Sequence, residues 1–164
     1  MDRINKIFSK KIIGYAEELY KPVSKCKFIL SLSGGQDSMV LFILMEKLHL
    51  NFHTIHFNHN FNIQSKEISN FVKDSLATLK STKHFNISLD LQSAKNFESE
   101  ARFKRYYHLE NLRRRLNCDF ILTAHHLDDQ IETLHMKKKQ NTHWSNSLGI
   151  REKINFIRRP LLTV

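Results

Sequence analysis

The chain has 164 residues, a formal net charge of +10 at pH 7 and a sequence pI of about 9.7. This length predicts one α/β domain with a substantial core and leaves no room for a second domain of normal size. This excess of basic over acidic residues favours a polyanionic partner, and nucleic acid is the first candidate. Lys, Asn, Ile and Phe are abundant while there are only 4 Gly and 2 Pro, which is typical of an AT-rich genome, so the clustering of basic residues is more informative than their total.

The cysteine content and the hydropathy pattern exclude several classes of protein. The chain has two cysteines, Cys26 and Cys118, far apart in sequence, which excludes a disulfide framework and a CxxC metal pair and favours a reducing compartment. The longest apolar run, residues 39–45, is too short to span a bilayer. The N-terminus lacks the apolar segment of a signal peptide. We therefore expect no membrane partner.

Hydrophobic periodicity predicts strands that alternate with helices along the chain. An amphipathic helix is predicted in the N-terminal segment 1–22. Further helices are predicted at 36–49, 65–80, 98–117 and 128–139, and strands at 27–32, 51–57, 83–89, 119–124 and 153–158. This alternation predicts an α/β fold, a Rossmann-like parallel sheet of about five strands with helices on both faces.

Apolar residues at helical spacing predict which side chains of three helices face the core. In the first helix they are Ile4, Ile7, Phe8, Ile12, Tyr15 and Leu19. In the helix at 65–80 they are Ile68, Phe71, Val72, Leu76 and Leu79. In the helix at 98–117 they are Phe103, Tyr106, Leu109, Leu112 and Leu116.

A Gly pair and a polar triplet connect the first strand to the second helix. The segment is Ser33, Gly34, Gly35, Gln36, Asp37 and Ser38. The glycines allow a sharp turn and a close approach of a ligand, and a helix N-terminus with free N–H groups binds phosphate. Asp37 is a candidate Mg²⁺ ligand, and the two serines can donate to phosphate oxygens. No Lys follows the glycines, so this is not a Walker A loop, and the simpler alternative is an ordinary Gly-Gly turn.

A second polar cluster lies in residues 123–133, between the fourth strand and the last long helix. Its carboxylates are Asp128, Asp129 and Glu132, which neighbour one another at helical spacing and can hold Mg²⁺ or an amine. The alternative is that these acids cap the helix N-terminus. The histidines His56, His59, His125 and His126 are a weaker metal-site hypothesis, because zinc sites usually have closer ligand spacing or Cys partners.

The basic helix at 98–117 carries candidate phosphate or RNA contacts. Asn96 is placed to cap it, and Arg102 and Arg105 lie three apart on one face. Arg102 is the better candidate, whereas the run 113–115 can equally be a solvated basic face. In a parallel sheet, ligands bind at the carboxyl ends of strands where the topology changes direction. The topology therefore predicts that loops 33–38, 56–60 and 124–129 converge on one crevice.

Several blocks together resemble a known enzyme family. Ser-Gly-Gly-x-Asp-Ser at 33–38 resembles the loop of the N-type ATP pyrophosphatases, which implies an adenine nucleotide alpha-hydrolase-like fold. The further blocks are His-Phe-Asn-His at 56–59, Asn-x-Glu-x-x-Ala-Arg with Arg-Tyr at 96–106, Ala-His-His-x-Asp-Asp-Gln-x-Glu-Thr at 124–133 and Arg-Pro-Leu-Leu at 159–162. In this order they resemble the tRNA(Ile)-lysidine synthetases. Block 124–133 is the most specific, since GMP synthetases and tRNA thiolation enzymes share the first loop.

The resemblance implies a ligase that uses ATP and Mg²⁺. It implies adenylation of the wobble cytidine C2 oxygen of a tRNA(Ile) with a CAU anticodon, then displacement of AMP by L-lysine. Residues 33–38 would bind ATP, with Asp37 binding Mg²⁺ or contacting pyrophosphate. Arg102 would face the nucleotide or the tRNA. The carboxylates assigned to the lysine are Asp128, Asp129 and Glu132. They would help to deprotonate it, because an amine with a pKa near 10.4 is almost fully charged at neutral pH. The family also implies a homodimer.

Two departures from the family pattern keep alternatives open. After block 124–133 the family has a Gly-containing loop, whereas this chain has residues 137–142, Lys-Lys-Lys-Gln-Asn-Thr. The sequence also stops soon after Arg-Pro-Leu-Leu, so we expect one ATP-binding catalytic domain over 1–164, a short or truncated member without C-terminal tRNA-binding domains. A non-catalytic nucleotide- or RNA-binding remnant is the alternative. A tRNA thiolase is less favoured, because sulfur transfer would need Cys pairs or an iron–sulfur cluster. The AT-rich composition suggests an organelle interior (plastid stroma or mitochondrial matrix), otherwise a bacterial cytoplasm.

Overall fold

The structure is a computed structural model that describes residues 2–58, 63–77, 82–89, 97–139 and 149–164. The helices are α1 (Asp2–Glu17), α2 (Gln36–Lys47), α3 (Ile63–Leu76), α4 (Phe97–Arg115) and α5 (Leu127–Lys139), with a short 3-10 helix at Val23–Lys25. The strands are β1 (Lys27–Leu32), β2 (Asn51–Asn58), β3 (His84–Ser88), β4 (Phe120–Leu122), β5 (Lys153–Ile154) and β6 (Ile157–Arg158). No helix in these ranges is both long and apolar enough to cross a membrane.

The strands form one sheet in the order β3-β2-β1-β4-β6-β5. All neighbouring pairs are parallel except β5 and β6, which are antiparallel. The predicted α/β class is confirmed. The prediction of a single strand over 153–158 is wrong, because the chain reverses there into a hairpin. Asn155 makes the turn with φ at +48°, a conformation that asparagine tolerates better than most residues.

Helices cover both faces of the sheet, and the alternation of side chains along β1 shows how the core is divided. Phe28, Leu30 and Leu32 point to one face, where they pack in a cluster with α1, α2 and α3. Ile29 points to the other face and packs in a second cluster that includes Leu109 and Leu112 of α4. The predicted parallel sheet between two helical layers therefore has two separate cores.

The predicted inward faces of two helices need correction. In α3, Val72 is buried as expected, but Ile68 and Phe71 are 41% and 52% exposed. Val72 packs in the core with the sheet, whereas Ile68, one turn earlier, lies over the loop glycine Gly34. Leu79 lies outside the described residues.

Phe103 of α4 is 72% exposed, so its predicted burial is wrong. Successive helical residues are about 100° apart, which places Phe103 about 200° from the buried Ala101 and so on the outer side of the helix. There it stacks on Tyr107, with ring centroids 6.5 Å apart. In α1, by contrast, Phe8, Ile12 and Tyr15 are buried as predicted.

Candidate active site

The site lies at the point where the sheet topology changes direction. The chain leaves β1 through α2 to β2 on one side, and leaves β4 through α5 to β6 on the other. The loops after β1 and β4 therefore diverge and leave a crevice between them. A cavity of about 360 Å³ occupies this crevice. Its polar lining is Ser31, Ser33, Asp37, Ser38, Arg102, Arg105, Tyr106, Thr123, His125 and Asp129.

The loop between β1 and α2 wraps around the hydroxyl of Ser38, a buried side chain on the first turn of α2. Ser38 Oγ accepts hydrogen bonds from Gly34 N–H (3.2 Å) and Ser33 Oγ (3.1 Å), and donates to Gly35 O (2.8 Å). Gly35 N–H donates to Ser33 Oγ (3.2 Å). The N–H groups of both glycines are thus bonded within the loop. The N–H groups of residues 36–38 are the ones that the first turn of the helix leaves without an intrahelical acceptor.

Gly34 is required at its position for two reasons. Its φ of +84° lies in the left-handed region. A Cβ at this residue would also meet Cγ2 of Ile68 at a distance shorter than real Cβ contacts. Gly35 has an ordinary φ of −74° and is the N-cap of α2, with no crowding beyond Ser33 Oγ. Of the predicted loop residues, Ser33, Asp37 and Ser38 line the cavity, Gly34 and Gly35 form the turn, and Gln36 does not line the cavity.

Residues 126–129 form the N-terminal cap of α5. His126 Nδ1 accepts from the backbone N–H of Asp128 (3.1 Å), and Asp129 Oδ2 accepts from the backbone N–H of His126 (2.8 Å). This is a reciprocal capping box in which histidine takes the place usually held by serine or threonine. The capping alternative raised for the acids is therefore realised for Asp129, which at the same time lines the cavity.

The three predicted carboxylates do not converge on the cavity. Asp129 lines it, whereas Asp128 and Glu132 are exposed and are not part of its wall. The spacing of four residues does put Asp128 and Glu132 on one face of α5, but the orientation of the helix turns that face to solvent. Asp129 is the member of the set that the structure brings beside Asp37 and Arg102.

His125 is a cavity residue that the sequence analysis considered only as a weak metal ligand. Its Nδ1 lies 3.0 Å from Oγ1 of Thr123. Burial, and next the nearby charge of Arg159, lower the pKa of His125 to about 4. The ring is therefore neutral at pH 7 and can hydrogen-bond a ligand without adding charge. Its place directly after β4, in the quoted block 124–133, was the signal that could have identified it.

Both arginines predicted on one face of α4, Arg102 and Arg105, line the cavity. The guanidinium of Arg102 lies 5.6 Å from the ring centre of Tyr106. The run 113–115 lies at the other end of the helix. There, hydrogen bonds from Arg113, together with those from Arg114, lower the pKa of Glu110 to about 2. The run was left open between a phosphate or RNA contact and a solvated basic face. In the structure Arg113 and Arg114 pair with Glu110, while Arg114 stays largely exposed.

Of the second predicted loop, 56–60, the structure describes the first three residues. His56 is buried in β2, and its Nδ1 donates to the carbonyl of Leu32 at the end of β1 (2.9 Å). The next residue, Phe57, lines the cavity. His59 and Asn60 lie outside the described residues, as does the predicted cap Asn96. Among the residues that the structure describes, no group of three or more His, Cys, Asp or Glu side chains could hold a metal ion.

The two cysteines lie away from the site. Cys26 directly precedes β1 and Cys118 lies two residues before β4, at the opposite edge of the sheet from the cavity, and both are buried. Burial raises the pKa of Cys26 and raises that of Cys118 to about 11. Both thiols are thus held in the protonated, weakly nucleophilic form. The positions of the cysteines give no support to sulfur transfer.

Comparison with known proteins identifies the family of the chain. The chain matches the PP-loop domain family over residues 8–164. It is 32% identical over 142 residues to the tRNA(Ile)-lysidine synthase of Enterococcus faecalis, covering 82% of this chain and 31% of that protein. It is 32% identical over 153 residues to the tRNA(Ile)-lysidine synthase of Thermus thermophilus, covering 91% of this chain and 30% of that protein. The chain thus spans about a third of the length of these bacterial relatives, and the expected organelle location stays a prediction.

The fold also has solved counterparts. The U34-tRNA thiolase NcsA from Methanococcus maripaludis superposes with a TM-score of 0.62 at 19% identity, covering 96% of this chain and 60% of that one. At this identity the likeness shows the fold alone. The match over residues 8–164 and the relatives at about 30% identity show the family. The chain is a member of the PP-loop domain family, and the curated relatives that it resembles are tRNA(Ile)-lysidine synthases.

Proposed function

We propose that this chain ligates L-lysine to the wobble cytidine C2 of tRNA(Ile) with a CAU anticodon, at the expense of ATP. The observation that carries the proposal is the shared cavity of about 360 Å³. The ATP loop supplies Ser33, Asp37 and Ser38, and the segment after β4 supplies Asp129. A nucleotide site and an amine site must adjoin if an adenylated base is to react with lysine.

The loop and the first turn of α2 would bind the phosphates of ATP. The N–H groups of this turn, which have no intrahelical acceptor, and the dipole of α2 favour negative charge at this point. The hydroxyls of Ser33 and Ser38 bond to each other and can turn to phosphate oxygens.

Mg²⁺ fits the donors that are present. It usually takes one or two carboxylates and completes its shell with phosphate oxygens and water, so a cluster of three protein ligands is not required. Asp37 is 53% exposed at the cavity and would hold the ion. When bound, Mg²⁺ would neutralise part of the charge of the polyphosphate.

In the first step, the C2 oxygen of the cytidine would attack the α-phosphorus of ATP. The bond from that phosphorus to the bridging oxygen breaks, and pyrophosphate leaves with the bonding pair. Arg102 and Arg105 would place positive charge beside the phosphates as this charge develops. His125, held neutral, would act as a hydrogen-bonding group and not as a proton acceptor, because its pKa of about 4 makes it a weak base.

In the second step, the side-chain amine of lysine would attack C2 of the adenylated base, and AMP leaves. The incoming amine must lose a proton, since a lysine amine with a pKa near 10.4 is charged at neutral pH. We assign the first contact with this amine to Asp129, because this carboxylate lines the cavity whereas Asp128 and Glu132 face solvent. One Asp129 oxygen caps α5, and the carboxylate has a second oxygen to offer the amine.

Lysine incorporation tests the proposal directly. Radiolabelled L-lysine, ATP and Mg²⁺ are incubated with the chain and a tRNA(Ile) transcript that carries the CAU anticodon. An elongator tRNA(Met) transcript, which shares that anticodon, is the control. We expect label in the first RNA alone. Bound ATP without labelled RNA would favour the non-catalytic remnant. The homodimer implied by the family stays a prediction, which the mass of the chain in solution checks.

A further inference from the structure

A second cavity, of about 400 Å³, adjoins the ATP cavity. The two cavities share Arg102 and Tyr106. From these residues the second cavity continues as a groove between α4 and the β5–β6 hairpin. A ligand in the groove would therefore reach the ATP cavity at one end.

One wall of the groove is a straight line of side chains on α4. Arg102, Tyr106, Glu110 and Arg114 line it, each four residues from the next. Side chains four residues apart form one inclined ridge along a helix, and twelve residues of helix extend about 18 Å. The groove is therefore elongated, which suits an extended chain better than a compact small molecule.

The floor and the opposite wall are largely apolar. Ile121 of β4 and Ile157 of β6 line the floor, and Phe156 stands at the hairpin end. The ring of Phe156 is 42% exposed, and the guanidinium of Arg113 lies 3.6 Å from its centre. Because Arg113 covers one face of the Phe156 ring, the other face and the phenol ring of Tyr106 are the flat surfaces on which nucleobases can stack.

The groove carries excess positive charge. Glu110 is its acidic member, and this carboxylate is already paired with Arg113 and Arg114. Arg159 is 1% exposed and lines the groove, where it donates to Tyr106 Oη and to the carbonyl of Arg151.

No ion pair joins Arg159 to an acid within the described residues, and its buried Nε has no hydrogen-bond partner there. A buried cation without a counter-ion attracts an anion. This second observation, independent of the surface charges, also points to an anionic ligand.

We propose that the groove holds single-stranded RNA, namely the nucleotides that flank the base in the ATP cavity. The inference rests on the proposed function, because it takes the base in that cavity to belong to RNA. Phosphates face Arg102 and Arg114, and a flanking base stacks on Phe156. The apolar floor and the flat rings suit bases, and the arginines suit the phosphates between them.

The test uses the full chain and a fluorescent RNA hairpin with a CAU loop, with binding followed by anisotropy over a range of salt concentrations. Arg114→Gln removes a groove cation that is largely exposed, so folding is preserved. Arg115→Gln removes the same charge from the next residue, which lies outside the groove. We expect Arg114→Gln to weaken hairpin binding by roughly threefold to tenfold and to reduce the salt slope by about 1, while Arg115→Gln binds almost as the wild type does.

Phe156→Leu gives an independent check of stacking. The substitution keeps an apolar side chain in the β5–β6 hairpin but removes the flat ring. We expect it to weaken binding of the RNA hairpin with little change in the salt slope. ATP binding, measured in parallel, should be unchanged in all three variants.

Equal affinity for the RNA hairpin in Arg114→Gln, Phe156→Leu and the wild type would overturn the proposal that the groove binds RNA, even if the wild type incorporates lysine. Equal losses in Arg114→Gln and Arg115→Gln would overturn it too, because the effect would then be one of total charge. Selective loss of RNA binding in a chain that incorporates no lysine would support the groove and count against the ligase.

Discussion

His126 Nε2 lies 3.3 Å from Oδ2 of Asp37, so the histidine that caps α5 also contacts the carboxylate on the first turn of α2. The backbone N–H of Asp128 donates to His126 Nδ1, which places the proton of the neutral ring on Nε2, where it points at Asp37. One side chain thus ties together the two segments that diverge at the change of sheet direction.

We predict that the two roles of His126 can be separated by substitution. His126→Ala loses both the cap and the contact with Asp37, and should cost about 1 kcal/mol of unfolding free energy. His126→Asn keeps a good N-cap but is too short to reach Asp37. It should therefore unfold near the wild-type denaturant midpoint, while the Mg²⁺ concentration for half-maximal ATP binding changes severalfold.

The denaturant midpoint and the Mg²⁺ dependence of ATP binding are measured on the wild type, His126→Ala and His126→Asn. If both the denaturant midpoint and the Mg²⁺ dependence of His126→Asn equal the wild-type values, the contact of the ring does not position Asp37. His126 then acts only as a helix cap. A double variant with Asp37→Asn completes the cycle, and it should show no further effect of the histidine on ATP binding.

The sequence was sufficient to predict β1, the Gly-Gly loop and α2, because an apolar run, two glycines and a second apolar run are local signals. It was also sufficient to predict the crevice, because the alternation of strands and helices determines where parallel strands end. The hairpin was missed, since strands of two residues such as Lys153–Ile154 and Ile157–Arg158 are too short to show periodicity.

The site was harder to predict because spacing identifies a shared helix face but not the direction in which that face points. Asp128 and Glu132 share a face as predicted, yet tertiary packing turns it outward and leaves Asp129 at the cavity. The same limit explains Ile68, which packs over Gly34 and not over the sheet. The contact between His126 and Asp37 joins residues 89 positions apart and has no local signal.

Asp37→Asn should impair the use of Mg²⁺·ATP and leave the fold intact. The side chain is half exposed, so stability should change little, whereas kcat/KM for ATP should fall by roughly tenfold to a hundredfold as a charged phosphate or metal contact is lost. Glu46→Gln, at the other end of α2, removes the same charge outside the cavity and is the control. ATP turnover at the wild-type rate in Asp37→Asn would remove this residue from its assigned role.

Asp129→Asn should raise the KM for lysine on the order of tenfold and change the KM for ATP much less. The amide oxygen of the asparagine can still accept from the N–H of His126, so the cap survives and the loss reports the missing charge. Asp128→Asn is the matched control, since Asp128 is the adjacent acid and faces solvent. Equal losses of lysine affinity in both variants would contradict the assignment of the amine site to Asp129.

Gly34→Ala should destabilise the chain by about 1–3 kcal/mol, because alanine is strained at a φ of +84°. The new Cβ would also displace Ile68. Gly35→Ala, one residue later at an ordinary φ, should cost much less. Urea unfolding of the two variants makes the comparison, and adding Ile68→Ala to Gly34→Ala should recover the part due to crowding. Equal unfolding midpoints for the two single variants would show that the loop conformation does not depend on Gly34.

His125 should make the stability of the fold depend on pH. In the unfolded chain its pKa is near 6.5, whereas burial and next the charge of Arg159 lower the pKa in the folded state to about 4. Between these values the unfolded chain binds more protons, so stability is highest above pH 6.5 and falls as the pH drops toward 4. The full shift corresponds to about 3 kcal/mol, but the ring borders an open cavity where water screens the charges, so we expect on the order of 1–2 kcal/mol.

Unfolding free energies measured between pH 7 and pH 4.5 test this for the wild type and for His125→Asn, which cannot take up the proton. Burial also lowers the pKa of His53 and His84, but both proteins carry these residues, so the difference between the two curves isolates His125. The charged groups that act on it are Arg159, Arg102, Arg105 and, with the opposite sign, Asp129. We expect the wild-type curve to be steeper below pH 6.5. Parallel curves would mean that the ring accepts a proton as readily in the folded chain as in the unfolded chain, and its neutral role beside ATP would be wrong.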